Sequence, residues 1–177
     1  LPLAYAIQQA GIIAFLNGAY DTAVARYTEA LTLAETLGDR TGIGNAWLNL
    51  GSAQEMSGLL ADAVASLDHA RTEFGETDDQ GGVGYVDYLL GHVARACGDL
   101  DEAFNRLRSA QSLLTEVGDL ASLALVHETL AGIAVDRSDP AAARTEFDRA
   151  QQLRSETGAA LPASRASEVE RDLTALG

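Results

Sequence analysis

Apolar residues along the chain recur at spacings of three and four, the period of an amphipathic helix, in blocks divided by glycine or aspartate. Trp47, Leu50, Gly51 and Gln54 share one helical face, Gly58 interrupts it, and Ala63, Leu67 and Ala70 resume it. The block then repeats. At steps of 40 residues Gly18, Gly58, Gly98 and Ser138 fall in register, as do Ala23, Ala63, Ala103 and Ala143, and again Ala30, Ala70, Ala110 and Ala150. Tyr27, Leu67, Leu107 and Phe147 keep one large apolar residue in each copy, and Ala10, Leu50, Leu90 and Leu130 precede Gly11, Gly51, Gly91 and Ala131. Repetition on this scale predicts a stack of like units, each too small to bury its apolar face alone.

Each copy predicts two amphipathic helices. The alanine columns have a physical reason, because helices that cross at about 8–10 Å tolerate only small side chains between their backbones. Gly51 and its equivalents serve the same end, at a helix-propensity cost of about 1 kcal/mol that close packing must offset. Asp39, Asp79 and Asp119 each follow a helix end and precede an apolar run, the place of an N-cap carboxylate. Pro140 suits the first turn of a helix, where a missing N–H costs nothing. The glycine clusters Gly42-Ile43-Gly44 and Gly81-Gly82-Val83-Gly84 are expected to be flexible joints that let the next helix start at its own angle.

The series Trp47, Leu50, Gly51, Ala63, Leu67, Ala70 resembles the tetratricopeptide repeat (TPR) signature, and the resemblance covers about residues 4–163 as four copies: 4–43, 44–83, 84–123 and 124–163. It implies an all-α fold, a right-handed αα superhelix, over domain 1–163. The chain departs from the ordinary 34-residue unit by a longer joint of the type Leu37-Gly38-Asp39 and Val117-Gly118-Asp119. It also lacks the late proline, with Glu35, Gly75, Thr115 and Ser155 in that column. Such long-helix variants are similar to arrays attached to bacterial transcriptional regulators and signalling ATPases. Residues 164–177 keep an apolar stripe of Val169, Leu173 and Leu176 but no Leu-Gly pair. They are expected to form a C-terminal capping helix, or else the start of a fifth copy.

Composition narrows the chemistry. The 12 basic residues among 177 are all arginine, which removes every mechanism that needs a lysine. A formal charge of −14 opposes contact with a phosphate backbone, so no nucleic acid partner is expected through this segment. No apolar run approaches the roughly 18 residues of a membrane span, and no signal peptide is evident. A single cysteine fits a reducing compartment, and a cytoplasmic location is expected. The abundance of arginine and alanine suggests a high-GC bacterial source. The sole methionine is Met56 and the first residue is Leu1, which suggests an excised piece of a longer protein. The acidity is uneven: copy 44–83 has one arginine against seven acids, which reads first as a solvated convex face and second as an attractor for a basic partner.

Neither catalysis nor a metal or other cofactor is expected. His92 and Cys97 do not share a helical face, no paired metal-ligand spacing occurs, and Ser52, His92 and Asp87 would form a nucleophile relay only by projecting from rigid helices. The glycine clusters precede no lysine and follow no strand, unlike nucleotide-binding loops. His127 stands in the column of Trp47 and is expected at the core edge, with Cys97 as a small hydrophobe near a helix end.

The resemblance further implies that the first helix of each pair lines a concave groove. Carried over column by column, the groove positions are Tyr5, Asn45 and Tyr85; Gln8, Leu48, Tyr88 and Glu128; Ser52 and His92; and Phe15, Glu55 and Arg95. Tyrosines suit a peptide groove, pairing a broad apolar ring with a polar tip. The centre of contact is expected at Tyr85, Tyr88 and Arg95. Without lysine the groove does not match the family's clamp for a terminal carboxylate. The leading reading is a non-catalytic protein- or peptide-interaction module of a bacterial regulatory protein. A domain that senses an effector or signalling peptide and controls a fused DNA-binding domain is the alternative, and an oligomerisation scaffold acting as a homodimer is the third.

Overall fold

The computed structural model describes residues 2–176; Leu1 and Gly177 lie outside the described residues. Nine helices and no strands occur among them: α1 (Pro2–Leu16), α2 (Tyr20–Leu37), α3 (Arg40–Met56), α4 (Leu60–Glu76), α5 (Gln80–Ala96), α6 (Leu100–Val117), α7 (Leu120–Asp136), α8 (Pro140–Thr157) and α9 (Ala163–Thr174). The first eight form four antiparallel pairs, and each second helix packs on the first helix of the next pair. The arrangement is an all-α helical-repeat solenoid.

The conserved-size columns explain the pairing within each unit. A Cβ on Gly51 would stand 2.7 Å from Leu67 Cγ and 3.3 Å from the Ala63 carbonyl oxygen; on Gly91 it would meet Leu107 at 2.8 Å, and on Gly11 the Tyr27 ring at 2.6 Å. The glycine of the first helix therefore receives the large apolar residue of the second, and the alanine columns lie buried on either side. Leu67, Leu107, Leu114 and Val126 anchor the continuous core through the second, third and fourth pairs.

The joints alternate between two left-handed turns. Gly18, Gly58 and Gly98 adopt positive φ within pairs, where Ser138 does the same at φ 58°; between pairs Gly38, Gly118 and Gly158 are matched by Asp78 at φ 56°. Asp39, Asp79 and Asp119 accept from the backbone N–H of Gly42, Gly82 and Ser122 at 3.0, 2.8 and 3.0 Å, as capping carboxylates. Pro140 occupies the first turn of α8, which Asp139 caps.

The glycine clusters are not joints. Gly42 and Gly44 lie in the first turns of α3, and Gly81, Gly82 and Gly84 in those of α5. Gly44 and Gly84 are small because the second helix of their own pair presses there, a Cβ on Gly44 meeting the Phe74 ring at 3.1 Å and one on Gly84 meeting Leu114 at 3.0 Å, while a Cβ on Gly82 would meet the Phe74 ring of the preceding pair at 2.7 Å. Close approach, not flexibility, selects them. Six of the seven acids of residues 44–83 fall on α4 or its following turn, while Glu55 lies on α3 and faces inward. Arg40 pairs with two of them, Glu73 and Glu76.

Candidate functional site

The first helices lie on the inner side of the stack. α3 touches α5 and α5 touches α7, whereas successive second helices do not approach one another to that extent. Their inner face divides into an open part at α1–α3 and a covered part at α5–α7.

The open part is a cleft of about 460 Å³ whose lining includes Tyr5 and Gln8 of α1, Ala30 and Ala34 of α2, and Thr41 and Asn45 of α3. Small side chains of α2 form its floor and leave the depth. Tyr5 is exposed, and among the described residues no side-chain hydrogen bond occupies Gln8 or Asn45. A carboxamide offers both a donor and an acceptor, the complement of a peptide group. Phe15 is half-buried with its ring edge on Tyr20 at 5.4 Å, Leu48 packs against the core, and Ser52 Oγ donates to the Leu48 carbonyl at 3.0 Å.

The covered part holds the remaining groove positions under α9, which packs against α7 and sets its charged side chains on the last turns of α3 and α5. On α5, Tyr85, Tyr88, His92 and Arg95 form one stripe, with Tyr85 and Tyr88 rings 5.5 Å apart. Arg165 of α9 donates to both carboxylate oxygens of Glu55 at 2.8 and 2.9 Å. His92 sits between two carboxylates, with Glu55 2.5 Å from Nδ1 and Glu168 2.5 Å from Nε2. Arg95 donates to Asp136 and Glu168, each at 2.7 Å, and to Asp172 at 3.0 Å. The guanidinium of Arg95 has room because position 132 is glycine: any Cβ there would collide with it. Glu128 is engaged from behind, accepting both Nε and Nη2 of Arg154 on α8 at 2.6 and 2.7 Å.

Electrostatics follow from this geometry. Burial works against the charge on His92, but the hydrogen bonds to Glu168 and Glu55 outweigh it and hold the imidazole above its ordinary pKa. Burial likewise opposes ionisation of Glu55, yet His92 and Arg165 bring its carboxyl down to about 2. Glu168 is lowered in the same way, its burial overcome by His92 and by the nearby Arg95 and Arg165. Tyr88, wholly buried, has its phenol pushed up by desolvation.

Arg165, Glu168, Asp172 and Arg154 pair with the groove positions and are missed by column-by-column reading. The signal was present as charges at i, i+3 and i+7 in the last helix, complementary to Glu55, His92 and Arg95. The remaining candidates are dispersed. Asp87 lies on the other side of α5, accepting from Arg71 Nε and Ser109 Oγ, both at 2.7 Å, so Ser52, His92 and Asp87 make no relay. His69 stacks on Trp47 with centroids 4.6 Å apart, and buried His127 meets Glu146 at 2.5 Å. Cys97 ends α5 exposed to solvent rather than packed, because it follows the last core turn. Among the described residues no three His, Cys, Asp or Glu side chains are grouped to hold a metal, and no helix is long and apolar enough to cross a membrane.

Helix pairs of this length, stacked through small-to-large columns with an inward-facing first helix, define a TPR-type helical repeat. Solved structures agree. The chain is similar to BtubC (BKLC) from P. vanneervenii, at TM-score 0.74 and 20% identity over 90% of this chain and 66% of that one. It is similar also to a Rap protein complexed with competence and sporulation factor, at TM-score 0.80 and 13% identity over 88% of this chain and 43% of that one. A third likeness is to TPR-like repeats of a kinesin light chain of P. anserina, at TM-score 0.66 and 17% identity over 97% and 85%. The chain thus spans just under two thirds of BtubC and less than half of the Rap protein. No protein family profile and no curated protein sequence matches it.

Proposed function

We propose that the chain is a non-catalytic peptide- or protein-interaction module whose accessible contact surface is the open cleft between α1 and α3. The observation that carries this reading is the pairing of free carboxamides, Gln8 and Asn45, with the exposed Tyr5 over an alanine floor. An extended peptide laid there would find backbone partners in the amides and an apolar platform in the tyrosine. The Rap protein, whose fold this chain shares, is complexed with competence and sporulation factor, which supports a binding use of the fold here.

The finer parts of the proposal are a regulatory parent protein, a bacterial source and a cytoplasmic location. The lysine-free, arginine-rich composition supports the bacterial source and the lone cysteine the cytoplasmic location, while the regulatory parent rests on the resemblance of the 40-residue repeats to arrays attached to bacterial regulators. Tyr85, Tyr88 and Arg95 belong to this concave surface, but their access is governed by α9.

The test begins with a displayed library of random peptides selected on the full chain, followed by calorimetry with the synthetic winner. Replacing Gln8 and Asn45 by Ala is expected to weaken binding at least tenfold while the helical melt stays within a few degrees. Failure to select any peptide, or unchanged affinity in the double variant, rejects the cleft as the contact surface.

A further inference from the structure

Helix α9 is held to the groove by charge, and little else. Its only buried residue is Asp172; Val169 is half-buried and Leu173 half-exposed. It does not fill the space it occupies. A cleft of about 280 Å³ remains on one flank, between Val169 and Leu173 of α9 and Phe147 and Ala150 of α8. Another of about 650 Å³ lies on the other flank, beside Ser164, Ser167 and Arg171. A capping helix that seals a repeat array buries a continuous apolar stripe. This one instead matches three ionic positions in order: Arg165 to Glu55, Glu168 to His92 and Arg95, and Asp172 to Arg95.

The groove side of these pairs is built independently of α9. Arg95 is positioned by Asp136 of α7 and by the absence of a side chain at Gly132, and Tyr88 is fixed in the core. With α9 lifted, Glu55 followed by His92 and Arg95 remains as a charged register along the inner face, negative at α3 and positive at α5. Any helix presenting a guanidinium, then carboxylates three and seven positions later, repeats the contacts of α9.

We propose that this inner face is a docking surface for a partner helix carrying an arginine followed by acidic residues at i+3 and i+7, and that α9 is the internal occupant which such a helix displaces. The proposal rests on the reading of the concave face as the contact surface and identifies the partner chemistry of its covered half. The tether is short, residues 158–162 between α8 and α9, so α9 competes from within the molecule at an effective concentration on the order of millimolar. A partner therefore gains access when α9 is weakened, and the order of charges, not the total charge, selects it.

The experiment uses the full chain, the variant Arg165→Ala/Asp172→Ala, and the milder variant Arg165→Gln. The probe is a fluorescent synthetic peptide of residues 160–176. The two variants leave Glu55, His92 and Arg95 untouched. Hydrogen exchange is expected to show α9 opened in the double variant, and the probe is expected to bind that variant at least tenfold more tightly than the unmodified chain, with Arg165→Gln between them. A control peptide with Glu at 165 and Arg at 168 and 172 is expected to bind neither. The proposal is overturned if α9 opens without a gain in probe binding, or if α9 stays protected despite the lost charges. Equal binding of the control peptide also overturns it. Dimers formed by exchange of α9 between copies, seen by light scattering and excluding the probe, would replace the partner helix by a second copy. The library-selected peptide of the open cleft is measured in parallel; its binding, equal in all three chains, separates failure of this inference from failure of the cleft reading.

Discussion

Replacing Arg95 by Ala isolates the charge lock of α9 from the repeat core. The guanidinium is 4% exposed and serves three carboxylates, of which Asp172 is 3%, Glu168 23% and Asp136 38% exposed. Asp136 is solvated enough that its pair contributes at most about 1 kcal/mol. Glu168 retains His92. Asp172 is the costly one, left buried with only the outlying Arg171 at 3.3 Å. Stranding a buried charge in this way costs about 3–5 kcal/mol, limited above by the docking free energy of α9 itself. At about 1.4 kcal/mol per tenfold, the open population of α9 should rise by about two to three and a half powers of ten. Native-state hydrogen exchange reads this directly. Amides of α9 are expected to lose protection by at least a hundredfold, while those around Leu67 and Leu107 keep theirs. Adding Asp172→Asn removes the stranded charge and should recover part of the loss. A change below fivefold at α9, or loss of protection throughout α4–α6, would refute the separation of lock from core.

Other consequences are open to simpler measurements. Gly51→Ala puts a Cβ 2.7 Å from Leu67 Cγ, and an overpacking cost of about 1–3 kcal/mol exceeds the propensity gain of about 1 kcal/mol. A thermal melt lowered by several degrees is expected, and a raised midpoint would contradict the close approach. Ser138→Gly relieves a left-handed residue that the other pairs give to glycine, and should stabilise by about 0.5–1 kcal/mol in a urea titration; a lower urea midpoint would contradict the strain.

The lock is also sensitive to pH from both sides. His92 faces Glu55 from α3, Glu168 and Arg165 from α9, and Tyr88 on its own helix. Its raised pKa means that its contribution is full below the ordinary 6.5 and is lost as pH rises through the folded value. Glu55, lowered to about 2, contributes fully above its ordinary 4.5, and that share is lost as pH falls toward 2. Protection of α9 is therefore expected to be greatest between these limits. An NMR titration of His92 with an ordinary midpoint would contradict the two-carboxylate setting.

The repeat was legible because its causes are local and recur. Gly11, Gly51 and Gly91 meet Tyr27, Leu67 and Leu107 within single units, so one physical requirement writes the same pair at each 40-residue step. The capping aspartates and the left-handed joints are likewise decided within a few residues of themselves. The glycine clusters of α3 and α5 were misread because local propensity favours a break there. The reason for glycine was the neighbouring helix, which enters through Phe74 and Leu114.

The inner face was only half legible. Column position placed Tyr5, Gln8 and Asn45 on it, and the open cleft follows from those positions together with the small floor of α2. What covers Glu55, His92 and Arg95 depends on partners 110, 76 and 73 residues away in the chain. Those pairs occur once and carry no period, so nothing repeats to reveal them. By itself the sequence determined the helices and their pairing, since each is a nearest-neighbour packing requirement, whereas which helix faces inward came from the resemblance to the tetratricopeptide repeat. Tertiary structure alone decided that α9 turns back over the groove, because that choice is made by long-range ion pairs whose strength exists only once burial removes the water between them.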